Sequence, residues 1–421
     1  MLRRLFHLAL LSILSPIFPP TSQLLADEPS REKTIRIAAV VTEYRHNSHA
    51  DVIVSRLLQT FTLDGKGKSP KLKLVSLYTD QTPQSDISRK FSKQYGFPIF
   101  DSVEGALTLG GNKLAVEGVL LIAEHGEYRK SSTGQTIYPK RRLFEKIAGV
   151  FEKNHRSVPV FCDKHLADNW KDAKWLYDTA KRLKAPLMAG SSLPMLWRYP
   201  PVDVRKNASL KEIVAVSYHT LDAYGFHAME MVQTLAERRK GGETGIKSVQ
   251  CLQNAAVWKA ETEKIFDVKL LQQALARLKR PVTLEDVKKR VKNPILFIID
   301  YKDGLRVNVF TLNHAVGEWA AAWRYAETGK TESTLFWTQE ARPFMHFSFL
   351  VQGIDRMMHT GKATWPVERT LMTSGALDAL LISKANHGKK LKTPYLEFSY
   401  KTEWNWKQPP PPPKGRPING Q

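Results

Sequence analysis

Residues 158–170 read VPVFCDKHLADNW, an apolar run that ends in an acid, a cation and an imidazole: Asp163, Lys164 and His165. An ammonium at a strand's carboxyl end, just ahead of a helix, sits in a field that disfavours its charge. That predicts a lowered pKa and a group suited to donating a hydrogen bond or relaying a proton. A loop lysine in solvent is the alternative. In YGFHAMEMVQTL (224–235), His227 and Glu230 stand three apart and share a helix face, with Gly225 permitting close packing ahead of them. Taken alone, that histidine reads as a core or capping residue.

Further candidates cluster at other strand ends. Glu124, His125, Glu127 and Tyr128 follow one apolar run, and Asp80 ends another, where an acid can meet a ribose diol or simply be solvated. The turn at 42–49 carries Thr42, Arg45, His46 and His49 but no glycine; the first glycine in the chain is Gly65. Side chains in place of glycines block a backbone approach to a pyrophosphate. Arg45 and the histidines remain able to meet a phosphate through their side chains, and Ser48 or Asn47 can cap the following helix. Glu124, His125, Glu127 and Tyr128, with His46, His49, Asp163, His165 and His227, would suffice for a metal. No His-x-x-x-His or His-Glu-x-x-His spacing organises them, so no metal is expected.

Strand-like and helical stretches alternate from Thr34 to about Pro200. TIRIAAVV precedes a helix near 50–61, LKLVSLYTD one near 85–96, VEGVLLIAE one near 141–154, and VPVFCD one near 170–184; PIFDS and PLMAGSS read as further strands. Short connections between such units imply a Rossmann-like, doubly wound parallel sheet with ligands beyond its carboxyl ends. The second half changes character. A helix near 226–238, a strand at 246–253, a hairpin at 295–313 turning at Lys302-Asp303-Gly304, helices near 346–359 and 366–387 and a strand YLEFSYK predict an α+β domain. Its sheet is expected to be open and largely antiparallel, with helices on one face.

The 421 residues suffice for two domains, at 34–200 and 201–400; apolar and charged fractions of 42% and 25% are those of a folded chain. The net charge of +22 suits an acidic partner, yet no zinc finger, RNP-type motif or single basic stripe points to nucleic acid. The opening MLRRLFHLALLSILSPIF is short for a membrane span and has the form of an export signal ending near Ala26, with a twin-arginine-like Arg3-Arg4. An extracytoplasmic, periplasmic protein without an integral membrane segment after cleavage is expected. Cys162, in an apolar strand, reads as a buried free thiol, and the Pro-rich 407–421 as an unstructured tail.

Together these segments resemble the Gfo/Idh/MocA family of NAD(P)-dependent, mostly sugar-acting oxidoreductases, in order over roughly residues 34–400. VFCDKHLADNWKDAKWLYDTAKRLKAPLMAGSS is similar to the family's Glu-Lys-Pro segment, with Asp163, Lys164 and His165 in those places. YGFHAMEMVQTL resembles its Gly-x-His-x-x-Asp segment, with Glu230 for the last acid. The resemblance implies that Lys164 holds a substrate hydroxyl and His227 exchanges its proton. It implies a cofactor side of Thr42, Arg45, His46, Asp80, Glu124, His125 and Asp163, and a substrate side of His165, Arg198 and Glu230. NAD or NADP, a sugar- or cyclitol-like substrate and homo-oligomerisation through the open sheet are implied likewise. The chain departs from the pattern in lacking the glycine fingerprint and in having Ala223 where the family has Asp before the histidine. Two other readings stand beside the dehydrogenase: a non-catalytic sugar- or glycan-binding protein without dinucleotide, and an NAD-dependent glycosidase or lyase.

Overall fold

A computed structural model describes residues 33–412; the expected signal segment at 1–26 and the tail from 413 lie outside them. The strands β1 (Ile35–Val41), β2 (Leu72–Thr79), β3 (Gly118–Ile122), β4 (Val160–Asp163) and β5 (Leu187–Gly190) form one sheet in the order β2-β1-β3-β4-β5. Every pairing in it is parallel. β3, GVLLI, is buried at each position, as a strand covered on both faces must be. The connecting helices are α1 (His49–Leu58), α2 (Ser88–Tyr95), α3 (Val103–Thr108), α4 (Lys140–Lys153) and α5 (Trp170–Arg182). Strand order reverses between β1 and β3, which sets the crevice for a ligand beyond their carboxyl ends.

The second sheet has the order β13-β8-β9-β10-β7-β11-β12-β6. Its strands are β6 (Trp197–Tyr199), β7 (Leu210–Ser217), β8 (Ile246–Gln253), β9 (Ile295–Tyr301), β10 (Arg306–Thr311), β11 (Trp319–Tyr325), β12 (Thr331–Trp337) and β13 (Leu391–Lys392). Only β10 and β7 pair in parallel; the hairpin turning at 302–304 is β9–β10. One face packs on α6 (Ala223–Ala236) and α11 (Val367–Ala385), around Phe226, Val232, Leu377 and Leu380. The opposite face is covered as well. α7 (Ala255–Thr262), α8 (Val268–Leu275) and α9 (Leu284–Arg290) bury Leu271, Leu275 and Val287 against Val214, Ile298 and Phe310. The expectation of helices on one face is thereby corrected, and the bare surface argued for self-association is not there.

α10 (His346–Thr360) leaves the second half and returns to the first sheet, where Leu350, Val351, Ile354 and Met358 pack with Ile37, Ala39 and Ile53. Two expected strands fail for one reason. PIFDS makes only an isolated bridge, Leu77 to Ile99, and YLEFSYK only Glu243 to Tyr400. Pro98 and Pro394 each head the segment and remove a ladder N–H; Pro394 opens a short 3₁₀ turn instead. The start of the Pro-rich tail is fixed rather than loose. Pro410 O accepts from Trp197 Nε1 at 2.9 Å, Gln408 Oε1 from the Arg198 N–H at 3.0 Å, and Trp406 Nε1 donates to Leu196 O at 2.8 Å.

Candidate functional site

Four strand ends of the first sheet and three segments of the second half meet at one cavity of about 230 Å³. Its wall includes His49, Glu124, His125, Lys164, Tyr224, His227, Trp319, Glu340 and His346. Lys164 and His227, 63 positions apart in sequence, therefore face one space.

Lys164 does not behave as its position in sequence suggested. Helix α5 begins only at Trp170, so no helix terminus acts on it. Its Nζ lies 2.6 Å from Glu124 Oε1, with both groups buried. Burial alone would push the ammonium down, but the Glu124 carboxylate, with Asp163 behind it, reverses this and holds Lys164 above its ordinary value. Glu124 in turn stays well below the usual carboxylate range: burial raises it, and Lys164, His49 and Lys140 more than offset that. The pair favours the ammonium form of Lys164, with its N–H groups available to oxygen. Glu124, a residue of the cavity wall, has its second oxygen, Oε2, buried without a hydrogen-bond partner.

The loop after β4 is held from below. Lys140 Nζ donates to the carbonyls of Asp163, Lys164 and His165 at 2.6, 2.7 and 2.7 Å. The Lys164–His165 peptide is cis. Asp163 Oδ2 lies 2.6 Å from His49 Nδ1, a pairing that sequence spacing could not show. His227 Nδ1 is 2.6 Å from Ser191 Oγ, which also accepts the Leu193 N–H. Ser191 supports either tautomer, so Nε2 can present a lone pair or an N–H to the cavity. Burial, and then the Lys164 ammonium, keep His227 far below its ordinary value and neutral. Neither Asp222 nor Glu230 orients it.

Several expected site residues lie elsewhere. Glu230 is a strut: its carboxylate accepts from Ser191 N–H at 3.2 Å, Thr370 Oγ1 at 2.7 Å and Thr373 Oγ1 at 3.2 Å. It lies so close over Gly190 (φ +127°) that a Cβ there would meet Oε2 at 2.6 Å. Arg198 is fully buried against Asp203 at 2.6 Å, between the rings of Phe336 and Trp406. His165 packs at a tilt against Phe226 and reaches the Asp222 carbonyl at 2.9 Å. None of the three lines the cavity. Glu340, Trp319, Tyr224 and His346 do, and went unseen because nothing in their spacing marks them. Among the described residues no group of three His, Cys, Asp or Glu is placed to hold a metal ion. Cys162 and Cys251 are free and buried.

The places a nicotinamide dinucleotide would need do not fit it. At the start of α1, Asp51 N–H goes to Ser48 Oγ, Asn47 N–H to Asp51 Oδ2 at 2.8 Å, and His49 N–H to His125 Nδ1 at 3.3 Å. The amides that would meet a pyrophosphate are spent on side chains, and the Asp51 carboxylate among them is itself paired with Arg342 at 2.6 Å. Thr42 Oγ1 is bound to Glu124 O, Arg45 to Glu43, and His46 lies near Asp51 in solvent. Asp80, the residue expected at the ribose, accepts from Arg142 Nη2 on both oxygens at 2.8 and 2.7 Å, from Tyr78 OH at 2.9 Å and from Tyr128 OH at 2.7 Å. Partial burial would raise its pKa; Arg142 and the phenols outweigh that and hold it low. Gln81 and Glu127 exchange two hydrogen bonds, at 3.0 and 2.9 Å, and fasten the following loop over the strand ends.

No protein-family model matches the chain, and no curated protein matches it in sequence. Solved structures do match in fold. GenD2 from gentamicin A biosynthesis, in complex with NAD, aligns at TM-score 0.55 and 12% identity over 86% of this chain and 96% of its own. The apo scyllo-inositol dehydrogenase from Lactobacillus casei aligns at 0.52 and 12%, over 86% and 98%. The myo-inositol dehydrogenase from the same organism, in complex with NAD(H) and myo-inositol, aligns at 0.52 and 11%, over 85% and 96%. The chain thus carries, over most of its length and at low identity, the two-part fold of the Gfo/Idh/MocA-type NAD-binding oxidoreductases.

Proposed function

We propose that this protein uses the substrate half of an oxidoreductase fold, without dinucleotide, to bind a small polyhydroxylated compound. The observation that carries the reading is the convergence of Lys164, Glu124 and His227 on one cavity whose neighbouring cofactor cradle is filled by the chain's own side chains. Lys164 donates to a ligand oxygen, the unpartnered Oε2 of Glu124 accepts a hydrogen bond from a hydroxyl, and the neutral His227 pairs with a second hydroxyl. The stacked rings of Tyr224 and Trp319, 5.4 Å apart, offer an apolar wall to the C–H face of a ring. At about 230 Å³ the cavity is smaller than the roughly 300–1,000 Å³ usual for drug-sized ligands, and fits a single ring.

A second reading, NAD(P)-dependent oxidation of a sugar or cyclitol, is favoured by the fold shared with NAD-bound proteins. It requires the Asp80–Arg142 contact and the His125 loop to yield. Calorimetric titration of NAD, NADP and myo-inositol into the wild-type protein separates the two. The first reading expects no dinucleotide binding at about 1 mM and cyclitol binding that Lys164→Met or His227→Ala abolishes. Micromolar NAD or NADP binding by the wild type would replace it with the second. An extracytoplasmic setting, supported by the leader-like first 26 residues, belongs to the same proposal; the N-terminal mass of the mature protein in a fractionated cell tests it.

A further inference from the structure

At the amino end of β7, opposite the end that feeds α6 into the cavity, the second sheet holds a trough of about 1,080 Å³, more than four times the cavity's volume. Seven cationic side chains and three carboxylates line it. Arg306 and Lys390 are bound to Asp300 at 2.8 and 2.6 Å, and Lys302 to Glu397 at 3.0 Å. Lys211, Lys247, Lys264 and Lys392 are exposed and make no ion pair among the described residues. Four like charges gathered around one concave surface, each with its counter-ion left to solvent, raise the local potential beyond what scattered lysines would give.

We infer that this trough binds a slender anionic polysaccharide bearing sulfate or carboxylate groups. The single aromatic residue in its lining, Tyr301, is buried in the sheet, so no ring is offered for a nucleic-acid base to stack on. The surface is concave, with no apolar projection to enter a lipid layer. Glu212, Asp300 and Glu397 lie among the cations. An unbroken phosphate chain would be repelled at those points, whereas a sugar chain has hydroxyls to donate between its charges. The site is independent of the cavity and of any reading of it.

The test is fluorescence anisotropy with labelled dextran sulfate, polyphosphate and a double-stranded DNA oligonucleotide, on full-length protein. The wild type is expected to bind dextran sulfate more tightly than the other two, with affinity falling as salt rises. The triple variant Lys247→Glu, Lys264→Glu, Lys392→Glu should lose about tenfold or more. A control with the same charge change on exposed helix positions, Lys90→Glu, Lys93→Glu, Lys153→Glu, should lose less than about twofold. Circular dichroism and dextran sulfate binding are read on the same samples. Equal losses in both variants, no loss in the trough variant, or a wild-type preference for DNA or polyphosphate would overturn the assignment.

Discussion

Lys164 and Glu124 are each other's reason for being charged. Both are buried, and each is the largest opposite charge acting on the other. Lys164→Met should therefore cost about 3–5 kcal/mol of stability by stranding the Glu124 carboxylate. Adding Glu124→Gln should restore most of it. Denaturant midpoints of the two single variants and the double variant check this; additive losses would show that the pair is not coupled. Both residues could be picked out from sequence because they end apolar runs, where an α/β sheet delivers its polar groups. The sign of the Lys164 shift could not, since it depends on a neighbour 40 positions away. His346 and Glu340 gave no signal for a related reason: a buried histidine at a helix start and an acid in a loop look alike wherever they point.

At the scale of elements, Lys140 ties α4 to the loop after β4. Its ammonium is the donor for three consecutive carbonyls, and the loop carries Lys164. Lys140→Met leaves those carbonyls unsatisfied, at about 1–3 kcal/mol each, so a large fall in melting temperature and lost cyclitol binding are expected together. Gly190→Ala, which brings a methyl onto Glu230, should lower stability through the β5–α6–α11 junction. Because Glu230 also holds the Ser191 N–H and Ser191 holds His227, a weaker cyclitol affinity in the folded fraction, measured by calorimetry, is expected with it. The parallel sheet was readable in sequence because each strand is a continuous apolar run between helical periods. β11 and β12 were not, as WAAAWRY and TESTLFW lack the alternation that marks a strand with one solvated face. Helices α7 to α9 escaped notice, and with them the cover on the second face.

For the molecule as a whole, three neutral histidines, one buried and two half-buried, set an acid limit. Burial, with cationic neighbours, holds His125 and His346 at about 3, and His227 is also far below its ordinary value. In the unfolded chain they protonate near pH 6.5, so between there and about pH 3 the unfolded state binds more protons than the folded one. Stability from these groups is full above about pH 6.5 and is lost as pH falls, by up to about 1.4 kcal/mol per pH unit for each. Urea unfolding between pH 7 and pH 4 measures the slope; His346→Phe, which cannot be protonated, should flatten it. A slope unchanged in that variant would show that His346 already carries its proton in the folded state.

The return of α10 to the first sheet also orders events in time. The face formed by Ile37, Ala39 and Ile53 is made early in synthesis, while the helix that covers it ends at Thr360. Until some 300 further residues have left the ribosome, that oily side stays bare, and a nascent chain halted in between is a candidate for chaperone capture or clumping. Ribosome-stalled chains ending before residue 346 should bind a hydrophobic dye that those extending well past 360 no longer bind.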